Sequence, residues 1–225
     1  MTLFPFGIIL YGVQIFVCFV GIVGLRKWKQ LSKPLRLFEV YILFSIAIEV
    51  VESVMANYNI RNLWVFHCSD FVELFLYSCL YVLWYPGKRY RRLLQAACGM
   101  YVSVWIIGKF SFEPFYFMDI YSGAISQIIQ IGFGGRLLYS ISQEQEFDWK
   151  KDPRFIVISG IVLYASASFL LHITFNVLLT LPRQTMRIIW LLNVLFVMLQ
   201  YIIFLKGFLC NTNLVKDLTL DKVSL

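Results

Sequence analysis

Three ionisable residues stand inside the apolar stretch WVFHCSDFVELFLYSCLYVLW: His67, Asp70 and Glu73, at i, i+3 and i+6. Each charged side chain at bilayer depth costs about 2.5–3.5 kcal/mol on insertion scales, so the three require partners on neighbouring segments. At 100° per residue they cover about 120° of a helix surface, wide enough to line a cavity. The same residue types recur in other apolar stretches, as Glu49 and Glu52 before them and His172 and Asn176 far after them. Three chemistries fit such a set. The groups can bond to one another and hold helices together, a role in which each interhelical bond contributes about 0.6 kcal/mol. They can line a pocket for a small polar ligand or cation, with Trp64, Phe66, Tyr58, Tyr121 and Trp190 as walls. Or His67, His172 and one carboxylate, Glu73 in the first instance, with Asp70 or Glu49 as substitutes, can hold zinc and activate a water.

The elements that must position them follow from composition. The chain has 225 residues, of which 60% are hydrophobic and only 15% charged, with a mean hydropathy of +0.73. Soluble domains carry about 25% charged residues, so the expected class is a polytopic membrane protein. Seven apolar runs approach the roughly 20 residues that a bilayer needs. They are expected at Leu3–Leu25, Leu37–Met55, Leu63–Tyr85, Leu93–Ile107, Phe117–Ser140, Phe155–Leu179 and Ile188–Phe208, the fourth being the shortest. The first lacks a basic leader and a small-residue cleavage site, and is expected to persist as a span. Residues 1–208 then form one transmembrane domain and residues 209–225 a short cytoplasmic tail, with a surface helix as one option for the tail.

Charge sets the expected orientation. Sixteen of the 20 Lys and Arg residues fall at one end of the alternating spans, leaving Arg61, Lys109, Arg183 and Arg187 at the other. The positive-inside rule places the N-terminus outside and the C-terminus in the cytoplasm. With that topology Glu49, Glu52, His67, Asp70, His172, Asn176 and Asn193 share the outer half of the membrane, with Glu73 and Gln127 close by. The aromatic segment KFSFEPFY (109–116) is expected as an interfacial loop on that side, and the Gly132–Gly135 run as a place of close helix approach or bending.

Other functions are disfavoured. The net charge of +7 resides in loops and reports orientation, so nucleic acid is not expected as a direct partner. The five cysteines follow no metal or disulfide spacing. Lys206 is the one lysine of the seventh run, as in retinal proteins, but it lies roughly 15–20 Å in depth from Asp70 at 1.5 Å per residue. The ceramidase and adiponectin-receptor superfamily, the seven-helix comparison for a zinc hydrolase, uses three His with a Ser and an Asp, whereas this chain has only two His.

The segments NLWVFHCSDFVELF (62–75) and GIVLYASASFLLHITFN (160–176) resemble those of small seven-helix bacterial membrane proteins, including sensor modules of signalling proteins. The resemblance implies a bacterial inner-membrane protein, without a substrate or reaction. The resulting expectation is an all-α seven-helix bundle. It binds a small polar ligand or cation at Glu49, Glu52, His67, Asp70, Glu73, His172 and Asn176 and acts through a partner. The alternative is a metal-dependent intramembrane lipid hydrolase using the same cluster, with zinc at His67, His172 and Glu73. The expected partners are the lipid bilayer and another protein on the basic loops, with a homo-oligomer left open.

Overall fold

The structure is a computed structural model that describes residues 4–85, 87–144 and 148–210. Seven helices account for most of them: α1 (Phe4–Arg26), α2 (Lys33–Asn57), α3 (Leu63–Trp84), α4 (Lys88–Ser111), α5 (Ile120–Ser142), α6 (Pro153–Leu178) and α7 (Arg183–Leu209). The all-α class is as expected, and the described residues contain no strand. Of the tail expected at 209–225, residues 211–225 lie outside the described residues, as do 145–147 of the polar connection before α6.

Five helices, α1, α3, α4, α6 and α7, are long and apolar enough to cross a membrane, and the chain is read as a membrane protein. The outward face of α1 shows why. Ile8, Ile15 and Ile22, seven residues apart, are exposed together with Tyr11 and Phe19. Water would penalise such a stripe, whereas lipid tails do not.

The two helices below that threshold, α2 and α5, owe their polarity to different causes. Of all the helices α5 is enclosed on most sides, packing against α3, α4 and α6. Its Ser122, Ser126, Gln127 and Gln130 are all buried in protein. Apart from the terminal Ser142, only the stripe Tyr121, Ile128, Gly132, Arg136 and Tyr139 is exposed. Polar residues lower its hydropathy because they face other helices. Helix α2 carries Lys33 and Arg36 in its first turns and Glu39, Glu49 and Glu52 further on. Neighbour relations close a ring in which α1, α2, α3, α5, α6 and α7 succeed one another and α7 returns to α1, while α4 packs outside on α3 and α5. Aromatic rings fill much of its interior. Phe38 meets Phe204 edge-on at 4.6 Å, and Tyr41 meets Tyr77 at 4.5 Å.

Local chemistry accounts for the helix ends. Asp152 caps α6, its carboxylate accepting from the Arg154 N–H at 2.8 Å, with Pro153 in the first turn. The turn between α2 and α3 uses Asn59 at φ 53°, a left-handed conformation that Asn tolerates. One expectation about length is corrected. The fourth helix is not the shortest: it begins at Lys88, directly after Gly87, and runs 24 residues. Its basic first turn is itself helical, which an apolar-run criterion excludes from a span.

The glycine run of α5 has one member that packing requires. A Cβ on Gly134 would lie 2.6 Å from Val162 Cγ2 of α6, whereas Gly132 and Gly135 have open space. Gly134→Ala is therefore expected to lower stability by about 1–3 kcal/mol through overpacking. Gly132→Ala should leave it unchanged or raise it by up to about 1 kcal/mol through helix propensity. Unfolding of the two variants in mixed micelles measures the difference.

Candidate functional site

The end of the bundle where α3, α5 and α7 begin and α4 and α6 finish holds two polar clusters of opposite character. The first is built around Lys109, in the last turn of α4. Its side chain is 2% exposed, contrary to the expectation of an interfacial loop residue. The ammonium donates to Glu113 Oε2 at 3.1 Å, to Ser122 Oγ at 3.2 Å and to His67 Nδ1. It also lies 5.3 Å from the Trp105 ring centre and 5.8 Å from that of Phe115, contacts that favour a desolvated cation. Glu113 completes the arrangement. Its carboxylate accepts from the Tyr121 N–H at 2.6 Å, from the Ser122 N–H at 3.2 Å and from the Ser122 hydroxyl. It thereby satisfies free donors at the start of α5, where a negative charge is favoured.

This cluster also supplies the partners of His67, one of the residues expected at a ligand site. Nε2 of His67 lies 2.9 Å from the Phe117 carbonyl, which can only accept, so Nε2 carries the proton. Nδ1 then accepts from Lys109. Both ring nitrogens are engaged by the protein, and His67 does not line the cavity described next. It ties α3 to the segment preceding α5.

The second cluster borders a cavity of about 120 Å³. Asp70 of α3, Asp119 just before α5 and His172 of α6 present ligand atoms that all lie within 4.8 Å of one another. Nδ1 of His172 donates to the Ser168 carbonyl at 2.7 Å, which leaves Nε2 as the ring nitrogen on the side of the carboxylates. Nε2 and Asp70 Oδ2 are 3.9 Å apart, too far for a direct hydrogen bond. Asp70 Oδ2 and Asp119 Oδ2 are buried with no hydrogen-bond partner among the described residues, as are Gln127 Oε1 and Asn193 Oδ1, all from residues on the same cavity. Four acceptors are thus left open on one cavity. Gly123 makes room for the arrangement, because a Cβ there would overlap the His172 imidazole and come within 3.2 Å of Asp70 Oδ2.

Glu73 also borders the cavity, but its oxygens are occupied. Tyr41 Oη donates to Oε2 at 3.1 Å and Gln130 Nε2 to Oε1 at 3.2 Å, so Glu73 links α2, α3 and α5. The remaining expected residues are not brought to the cavity. Glu49 borders a separate groove between α1 and α2, and Glu52 is half-buried on α2, one turn on. Asn176 is exposed, one turn beyond His172. Of the expected walls, Phe66 and Trp190 line the cavity, whereas Trp64, Tyr58 and Tyr121 are exposed. Helical periodicity accounts for the split, since positions on one span at similar depth point in different directions.

The sequence reading missed Asp119, Glu113 and the buried state of Lys109. The i, i+4 spacing of Lys109 and Glu113 was an available signal for an ion pair. Asp119 offered a weaker one, an acidic residue just before a helix. Glu39 was missed as well. At the opposite end of α2, it is fully buried against Gly24, and its carboxyl oxygens have no hydrogen-bond partner among the described residues. No family model matches the chain, and neither a curated protein nor a solved structure matches it.

Removing the Lys109 ammonium leaves the buried Glu113 carboxylate without its counter-ion and His67 Nδ1 without its donor. Lys109→Met is expected to cost about 3–5 kcal/mol of stability, as for other broken buried pairs. The double variant Lys109→Met/Glu113→Gln should recover part of that loss, because it removes the uncompensated carboxylate as well. Denaturant unfolding in micelles gives both values.

Proposed function

We propose that the chain is a membrane component that binds a small cation, or a small polar ligand carrying positive charge, in the cavity beside Asp70 and Asp119. One observation carries this reading. Asp70, Glu73 and Asp119 border the cavity, and no Lys or Arg is among the described residues that line it. The nearest buried cation, Lys109, is already engaged by Glu113, His67 and Ser122. Clustered carboxylates in apolar surroundings favour a cation or a shared proton over separate full charges.

In this reading all seven helices span the membrane, with the N-terminus outside and the C-terminus in the cytoplasm. Support comes from the basic residues, which gather at the end opposite the cavity. The cavity then opens towards the outside. Its walls come from α3, α5, α6 and α7, so a bound cation draws together elements that otherwise repel one another. Occupancy thereby biases helix positions, and the basic cytoplasmic face offers a partner protein a surface on which to read the change. The chain acts as a sensor or accessory component in a bacterial inner membrane. A second reading, a metal-dependent lipid hydrolase, draws on one observation: the free Nε2 of His172 beside two carboxylates, a set able to hold a metal with a coordinated water. Release of fatty acid from bilayer lipids by the purified protein distinguishes it.

Trp190 lines the cavity and serves as a reporter. Titration of the protein in nanodiscs with guanidinium, sodium or divalent chlorides, at constant ionic strength, should give a saturable change in tryptophan fluorescence with at least one of them. Trp190→Phe should abolish the signal. Asp70→Asn and Asp119→Asn should each weaken binding about tenfold or more, the scale of losing a hydrogen bond to a charged group. A flat response to every cation, from folded protein, overturns the reading.

A further inference from the structure

We infer that Asp70, Asp119 and His172 form a site for a divalent first-row transition metal ion. The inference rests on the cation-binding reading above and narrows its ligand to one chemical class.

Three features carry it beyond a group of acidic residues. The first is the imidazole. Nδ1 of His172 is held by the Ser168 carbonyl at 2.7 Å, which sets the tautomer and leaves Nε2 as the ring nitrogen on the side of the carboxylates. A backbone carbonyl behind a ligating histidine is the usual outer-shell device of metal sites. The second is the buried acceptors without partners. Asp119 is 1% exposed and Gln127 2% exposed, yet Asp119 Oδ2 and Gln127 Oε1, from residues on the cavity, accept no hydrogen bond among the described residues. Buried polar atoms are normally paired, and a positively charged occupant of the cavity would pair these. The third is Gly123, whose missing side chain leaves the space in which the imidazole and Asp70 approach each other.

Donor chemistry selects the metal. One imidazole nitrogen and two carboxylates suit zinc, manganese, iron(II) or cobalt(II). No cysteine is among the described residues that border the cavity, so a thiolate-seeking ion such as copper(I) is not favoured. Calcium and magnesium prefer all-oxygen sets, which an imidazole dilutes. Three protein ligands leave coordination positions open towards the cavity, where Gln127 and water complete the shell. The site differs from the one expected from the sequence, since His67 is withdrawn to Lys109 and Glu73 to Tyr41 and Gln130, with Asp70 and Asp119 in their place.

Cobalt(II) tests the assignment, because its visible absorption reports on its ligands. Chelator-stripped protein in nanodiscs is titrated with cobalt(II), then with zinc and manganese as competitors and calcium as the contrast. The expected result is one equivalent of cobalt with a ligand-field band, displaced by zinc and untouched by equal calcium. His172→Gln should shift the band, and Asp119→Asn should weaken binding by about 100-fold or more, at or above the upper range for outer-shell changes. Gly123→Ala provides a steric variant that leaves all three ligands present. Its methyl displaces the imidazole, so cobalt binding should fall by a similar factor while helix content and cooperative unfolding of the metal-free protein are retained. Cobalt binding that is absent, or unchanged in these variants, overturns the metal site. If guanidinium or sodium still binds in an Asp70- and Asp119-dependent manner, the cation pocket stands without the metal. If no cation binds, both assignments fall.

Discussion

The ammonium of Lys109 is the constraint on which this end of the bundle depends. A cation removed from water inside an apolar bundle is tolerated only when its donors all find acceptors. Here the acceptors come from three places in the chain: His67 on α3, Glu113 in the segment after α4, and Ser122 on α5. Satisfying one side chain therefore sets three backbones relative to one another. Because Glu113 also caps α5, the same interaction determines where that helix starts and where Asp119, just before it, is held.

The neighbouring cavity reverses that logic. Asp70 and Asp119 sit close to the Lys109 cluster, but its charge is already neutralised by Glu113. What remains is a set of acceptors from α3, α5, the residue preceding it and α7 that find no hydrogen-bond partner among the described residues, with the His172 imidazole of α6 beside them. A closed polar network rigidifies a bundle, whereas an open one is expensive unless something completes it. The two clusters thus divide the labour. One positions the helices, and the other exposes the incomplete charge that the proposed cation balances. Glu73 belongs to both kinds, since it faces the cavity while its oxygens are held by Tyr41 and Gln130.

Much of the fold was legible because lipid imposes a simple rule on sequence. Apolar runs of bilayer length announced the helices; boundaries slipped where charged residues continue a helix, as Lys88–Arg92 do in α4, and at α5, which starts at Ile120 and not at Phe117. The depth of Asp70 and His172 was legible too, and these two do meet. Direction was less so. His67 lies only three residues from Asp70, yet it turns to Lys109, and the partner that decides this comes 42 positions later in the chain. Asn176 lies four residues from His172 but points to the surroundings, because α6 contacts α5 and α7 along only part of its surface.

Hydropathy and residue type, taken alone, determined the helical class, the likeness to a membrane protein and the concentration of carboxylates and histidines at one end. Those properties are local, set by free energies of transfer that each segment obeys by itself. Tertiary structure alone decided which of those groups are satisfied. A buried polar atom is paired or unpaired according to its neighbours on other helices, and that is a property of packing. So the sequence marked His67 and Asp70 as equals. The fold made one a fixed strut and left the other facing Asp119 and His172 across a cavity.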